Sequence, residues 1–156
     1  MKKIMIVDDN YLSAEGIEKN IDWETLNAEI IHVCYNGTSA IEAMKKEPAD
    51  LIISDIEMPD LDGISMSRQA LEINPMVKII LISAYDKFEY ARRALLLGAL
   101  DYIEKPLDYA YLIQKVKNAF ALMEKEQKNL QLLKQSRPLL TEKFFREITH
   151  LPSSEA

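Results

Sequence analysis

Residues 50–59 read DLIISDIEMP and combine an apolar strand with an acidic loop. The consecutive apolar residues 51–53 predict a strand that is buried on both faces, as in a parallel sheet covered by helices. The loop that follows contains Pro59, which a central strand does not tolerate. Asp55 therefore lies where the strand leaves the sheet. In open α/β folds this carboxyl edge is where ligands bind, so Asp55 is the first candidate site residue.

The composition describes a globular protein with room for one ordinary domain. Of the 156 residues, 48% are hydrophobic and 28% are charged, as in soluble proteins. No apolar run approaches the roughly 18 residues of a membrane span. Cys34 is the one cysteine, which excludes an internal disulfide and fits a reducing compartment. We therefore expect a cytoplasmic protein.

Charge is distributed unevenly along the chain. The net charge is −6 overall, because residues 1–108 carry a net −9 and residues 109–156 a net +3. An acidic body of this kind argues against nucleic acid binding by the body itself.

Apolar runs alternate with amphipathic segments through the first two thirds of the chain. This alternation predicts an α/β fold, a (βα)5 doubly wound five-stranded parallel sheet. Thr38 is expected to cap the second helix, and Leu95 is expected to face inward from the fourth. The predicted strands are 3–7, 29–34, 51–53, 77–82 and 100–103; the helices between them include 13–20, 64–73 and 86–97.

A long amphipathic helix is predicted from about Asp108 to Pro138, which must end it. The spacing favours a paired helix, although Glu126 interrupts the apolar seam, and a parallel homodimer is expected. The alternative is that a second, shorter helix over Leu139–Leu151 folds back. We divide the chain into a domain at 1–120 and a helical linker or dimerisation extension at 121–156. The seam consists of Leu112, Val116, Ala119, Met123, Leu130 and Leu133.

Polar groups follow four of the five predicted strands at one edge of the sheet. They are Asp8 and Asp9, Asp55, Ser83 and Lys105. Adjacent carboxylates repel one another unless a cation neutralises them, and a small all-oxygen site suits Mg²⁺. A hydroxyl and an ammonium group opposite the metal would contact the oxygens of a transferred phosphoryl group. Asp55 is then a candidate nucleophile that forms an aspartyl-phosphate.

At this point the sequence resembles the receiver domains of two-component response regulators, over roughly residues 1–120. The resemblance implies a flavodoxin-like fold, Asp55 as acceptor of phosphate from a sensor histidine kinase, and Ser83 and Lys105 as ligands of the phosphoryl oxygens. It further implies Tyr102 as a switch residue and a cis bond before Pro106. The implied Mg²⁺ ligands are Asp8 (through water), Asp9, Asp55 and the backbone carbonyl of Glu57. The motifs are Val7-Asp8-Asp9, Ser54-Asp55-Ile56-Glu57-Met58-Pro59 with Asp62-Gly63, Ile82-Ser83-Ala84, Gly98-Ala99 with Asp101-Tyr102, and Lys105-Pro106.

Within that family, the segments 21–24 and 83–91 resemble regulators that carry an AraC-type DNA-binding domain after a helical linker. No such domain fits after Leu151, so the chain is expected to be the N-terminal portion of such a regulator or a natural truncation. The alternatives are a stand-alone receiver acting as an interaction or phosphorelay module, and a phosphatase in which Glu57 serves as general acid. A receiver is expected to turn over no small phosphate ester.

Overall fold

The computed structural model describes residues 1–84 and 88–136, which form one sheet, five α-helices and a short 3-10 helix at Glu24–Leu26. The strands are β1 (Lys2–Val7), β2 (Ala28–Cys34), β3 (Leu51–Asp55), β4 (Lys78–Ser83) and β5 (Asp101–Glu104). The helices are α1 (Tyr11–Asn20), α2 (Gly37–Lys46), α3 (Gly63–Ile73), α4 (Phe88–Leu97) and α5 (Tyr109–Ser136).

The five strands form a parallel sheet in the order β2-β1-β3-β4-β5. From β1 the chain continues to β2 on one side of the sheet, and from β3 it continues to β4 and β5 on the other side. The strand order therefore reverses between β1 and β3. The prediction of a doubly wound, flavodoxin-like sheet with a long C-terminal helix is confirmed. In folds of this order, ligands bind outside the carboxyl ends of the strands at that point.

The central strands are buried because helices cover both faces of the sheet. Ile4 and Ile6 alternate along β1 with Met5 and Val7, and all four are almost fully buried. Every residue of β3 is likewise buried, which is why its sequence lacks the alternation of a half-exposed strand. None of the helices that the structure describes is long and apolar enough to cross a membrane.

Two details differ from the predictions. Asn36, and not Thr38, caps α2, since its side chain accepts a hydrogen bond from the backbone N–H of Ser39 at 2.8 Å. Leu95 does not face the core: its side chain is 74% exposed, whereas Ala94 is buried. The predicted start of this helix at Asp86 lies outside the described residues.

The described chain falls into two compact units, Met1–Phe120 and the residues from Ala121 onward. In the first unit α5 buries Leu112, Val116 and Ala119, which are the first members of the predicted seam. In the second unit α5 continues to Ser136. The predicted helix over Leu139–Leu151, and the break at Pro138, lie outside the described residues.

Candidate functional site

Three carboxylates converge at the carboxyl edge of the sheet. Asp8 and Asp9 directly follow β1, and Asp55 is the last residue of β3, the neighbouring strand. One oxygen of each lies within 4.8 Å of the others. Asp8 and Asp55 are buried, with Asp55 only 8% exposed, whereas Asp9 is open to solvent. The arrangement therefore concentrates negative charge in a site that solvent reaches from one side.

Lys105 lies against the two buried carboxylates. Its Nζ is 3.5 Å from Asp55 Oδ2 and 3.6 Å from Asp8 Oδ2. Its backbone N–H donates to the carbonyl of Ser83 at 2.8 Å, which holds the loop after β5 beside the end of β4. The bond from Lys105 to Pro106 is cis, as the resemblance implies. One ammonium group thus faces two carboxylates, and the cluster keeps an excess of negative charge.

Burial and repulsion raise the pKa of both buried carboxyl groups. The pKa of Asp55 rises from 3.8 to about 6, first because the side chain is desolvated and further because of the charge on Asp8, while Lys105 opposes the shift. Desolvation also raises the pKa of Asp8, against a backbone hydrogen bond from Asn10 and the charge on Lys105. A cation bound between these carboxylates would favour their ionised forms and so lower the pKa of both groups.

Backbone contacts fix the position of Asp55. The N–H of Ile56 donates to Asp55 Oδ1 at 2.9 Å and also to the carbonyl of Ile82 at 2.9 Å. Ser54 Oγ donates to the Asp55 carbonyl at 2.8 Å. Behind the strand end, Gly63 begins α3 so close to the Asp55 carbonyl that a Cβ at this position would collide with it. Only glycine permits this approach, so residue 63 determines how near α3 comes to the site.

Asn10 is a site residue whose role the sequence analysis missed. Its backbone N–H donates to Asp8 Oδ1 at 2.9 Å, and its side chain caps α1 by accepting from the N–H groups of Leu12 and Ser13. A helix cap directly after paired acidic residues was the available signal. Asn10 therefore orients Asp8 and starts the helix that follows.

The remaining predicted site residues lie on β4, on β5 and in the loop after β3. Ser83 is the last residue of β4, next to β3, and is fully buried. Glu57 lies in the loop after β3 and is half-buried. Tyr102 lies on β5, where its half-buried ring packs against the hydrophobic core. The structure thus brings Asp8, Asp9, Asp55 and Lys105 into one cluster, with Ser83 at the adjoining strand end.

Comparison with known proteins assigns the fold to a family. Residues 4–117 match the model of the response regulator receiver domain. The chain belongs to this family. Its receiver domain resembles the receiver domain of AraT, a response regulator from Geobacillus stearothermophilus, with a TM-score of 0.76 and 34% identity over 81% of this chain and 98% of that one. A two-component transcriptional regulator AraC from Clostridium phytofermentans gives a TM-score of 0.73 and 30% identity, covering 83% of this chain and 99% of that chain.

The receiver domain is also similar to a longer curated protein. The uncharacterised transcriptional regulatory protein YesN of Bacillus subtilis is 29% identical over 126 residues, which are 81% of this chain and 34% of YesN. The chain thus spans about a third of that relative. The resemblance to receivers of AraC-type transcriptional regulators, expected from residues 21–24 and 83–91, is confirmed by these matches.

Proposed function

We propose that the receiver domain accepts a phosphoryl group on Asp55 from the phosphohistidine of a sensor histidine kinase. The observation that carries this proposal is the cluster itself. One carboxylate oxygen of Asp55 lies within 4.8 Å of an oxygen of Asp8 and of Asp9, and Nζ of Lys105 lies 3.5 Å from Oδ2 of Asp55. A carboxylate oxygen of Asp55 attacks phosphorus as the P–N bond to the imidazole breaks, which leaves an aspartyl-phosphate and a free histidine.

The donor set fits Mg²⁺. Carboxylate oxygens in a partly hydrated site are the ligands that this ion prefers, and phosphate oxygens often complete its shell. Asp9, Asp55 and the backbone carbonyl of Glu57 would hold the ion directly, with Asp8 acting through water. Bound there, Mg²⁺ would neutralise charge on the carboxylates and on the incoming phosphoryl oxygens. The raised pKa values of Asp8 and Asp55, which come first from burial, are consistent with this assignment, because a bound cation would favour the ionised form of both groups.

Protein groups supply the remaining contacts to the phosphoryl group. Lys105 would move from the carboxylates to a phosphoryl oxygen, and the hydroxyl of Ser83 would donate to another. Asp55 meets the requirement of a nucleophile at neutral pH, because a pKa of about 6 leaves it largely ionised. Phosphoryl transfer depends on such positioning and charge neutralisation more than on covalent assistance.

Phosphorylation would act as a switch read by other parts of the full regulator. Ser83 and Tyr102 are the proposed switch residues, with the ring of Tyr102 moving inward when Ser83 contacts the phosphoryl group. The output is dimerisation through the C-terminal part of α5 and control of transcription through a DNA-binding domain outside this chain, acting in the cytoplasm. The transcriptional regulators among its relatives support the proposed control of transcription.

The test is labelling with a small phosphodonor. Wild-type protein is incubated with phosphoramidate and Mg²⁺, and the mass increase of one phosphoryl group is measured. Asp55→Asn should abolish labelling, because the amide is no nucleophile, while Asp60→Asn, in the same loop region, should be labelled like the wild type. Hydroxylamine-sensitive phosphate on Asp55→Asn would show that another carboxylate is the acceptor.

A further inference from the structure

One carboxylate oxygen beside the phosphoacceptor is buried without a hydrogen-bond partner. It is Oε1 of Glu57, and no other buried side-chain oxygen or nitrogen in residues 1–84 and 88–136 lacks a partner. A buried carboxylate oxygen without a donor costs free energy, since water no longer solvates it. A nearby cation that can reach this oxygen would therefore be drawn to it.

Such a cation lines the same cleft as Glu57. The cleft has a volume of about 440 Å³ and is lined by the loop after β3 and by Tyr90 and Arg93 of α4. Arg93 is the one cationic residue among those that line it, beside the acidic residues Asp9, Glu57 and Asp62. Within the part of the chain that the structure describes, Arg93 makes no ion pair and is not within ion-pair distance of Glu57. Rotation of its long side chain about its own bonds is the simplest way to bring them together.

The charge balance at this edge of the sheet indicates what an ion pair between Glu57 and Arg93 would do. Lys105 is already shared between Asp8 and Asp55, so it has no charge to spare for Glu57. A phosphoryl group bound to a side chain adds a charge of about −1.5 to −2. An unneutralised Glu57, two residues from Asp55, would repel this group as it arrives.

We propose that Arg93 pairs with Glu57 across the cleft and so lowers the electrostatic barrier to phosphorylation of Asp55. Arg93 acts through Glu57, so it is a positioning residue and touches neither the donor nor the nucleophile. The inference rests on the proposed function of Asp55.

The kinetic test compares the initial rate of phosphorylation by phosphoramidate in four proteins: wild type, Arg93→Gln, Glu57→Gln and the double variant. Arg93→Gln should slow the reaction about threefold, the scale of a partly exposed ion pair. Glu57→Gln keeps the backbone carbonyl that is proposed to hold Mg²⁺ and loses only the side-chain charge, so it should be at least as fast as the wild type. The double variant should match Glu57→Gln, because without the carboxylate Arg93 has nothing to neutralise. Arg93→Lys should restore part of the rate.

The matched control is Arg92→Gln. Arg92 precedes Arg93 on α4, and its Nη1 lies 3.5 Å from Oε2 of the exposed Glu89. Replacing either arginine by glutamine changes the net charge by the same amount. The rate of Arg92→Gln should equal that of the wild type. Equal slowing by Arg92→Gln, or slowing by Arg93→Gln that persists in the Glu57→Gln background, would overturn the proposal.

A second measurement needs no phosphorylation. The free energies of unfolding of the same four proteins, obtained from urea unfolding, form a double-mutant cycle. If Glu57 and Arg93 form an ion pair, the changes in free energy caused by the two single substitutions should not add up to that of the double variant. If wild type is never phosphorylated but the cycle shows coupling, the proposed function fails and the ion pair stands. If phosphorylation proceeds and the losses add, the ion pair is wrong and the proposed function is untouched.

Discussion

Metal-free protein should become more stable at neutral pH when Asp55 is replaced by asparagine. Burial raises the pKa of Asp55 from 3.8 to about 6, so ionising this group costs more in the folded chain than in the unfolded one. The folded state holds the proton more tightly, and the stabilisation from that proton is complete below pH 4. It is lost as pH rises through 6. Asparagine imitates the protonated carboxyl group in shape and charge and escapes this loss.

The size of the effect follows from the shift. One pKa unit corresponds to about 1.4 kcal/mol, so a change from 3.8 to about 6 gives a difference of about 3 kcal/mol at pH 7. The value is an upper limit, because the substituted amide still accepts from the N–H of Ile56 but turns its NH₂ group toward Lys105. At pH 4 the two proteins should differ little.

The assay is urea unfolding followed by circular dichroism, in EDTA, at several pH values between 4 and 7. The free energy of unfolding of Asp55→Asn minus that of the wild type should grow with pH over this window. Saturating Mg²⁺ should reduce the difference at pH 7, since the ion stabilises the folded state of the wild type that binds it. A difference that stays constant from pH 4 to 7, or an asparagine variant that is less stable at pH 7, would refute the argument.

Three further predictions concern the metal ligands, the close approach of α3 and the end of α5. Calorimetry should show that Asp9→Ala weakens Mg²⁺ binding more than Asp8→Ala. The affinity of Asp8→Ala should fall about tenfold, since Asp8 is expected to contact the ion through water; equal or reversed losses would contradict the ligand assignment. Gly63→Ala should lower the free energy of unfolding by about 1–3 kcal/mol, because the new methyl group overlaps the Asp55 carbonyl. Gly98→Ala, with open space around it but a φ of 95°, should cost only about 1–2 kcal/mol and leave phosphorylation intact, whereas Gly63→Ala should impair it. Sedimentation of the intact chain should show a dimer that Leu130→Glu weakens and Asn129→Glu does not, since Leu130 belongs to the apolar seam and is 49% exposed in the second unit; a wild-type monomer at high micromolar concentration, with and without a phosphate analogue, would exclude the dimer.

The sheet and the site cluster were predictable because each is encoded by short, local patterns. A strand buried on both faces requires consecutive apolar residues, and polar side chains placed just after such strands must meet at one edge. Asp8, Asp55 and Lys105 are 97 residues apart from first to last, yet the parallel topology alone brings them together. Long-range contacts of this kind follow from the fold rather than from pairwise signals.

Details that depend on side-chain packing were not predictable in the same way. Leu95 has the helical spacing of a core residue, but Ala94 takes the inward position and leaves Leu95 exposed. Thr38 and Asn36 are both good cap residues, and the choice between them depends on the loop that precedes α2. Asp60, in the loop after β3, accepts from the N–H groups of Gly37 and Thr38 in the first turn of α2, a contact between distant segments. The presence of Glu57 and Arg93 along one cleft likewise depends on how α4 packs beside the loop after β3.

The single tryptophan of the chain has a consequence for experiments. Trp23 is buried, donates from Nε1 to the carbonyl of Ile17 at 3.2 Å, and accepts from the N–H of Ala28 where β2 begins. It therefore lies at the amino edge of the sheet, about 20 Å from the carboxyl edge by the length of the six-residue strand β1. Its fluorescence should respond to the loss of the native core and stay silent when Mg²⁺ or a phosphoryl group arrives. Tyr102→Trp would place a second indole at the proposed switch residue, so a change in emission on phosphorylation would come from residue 102 and not from Trp23.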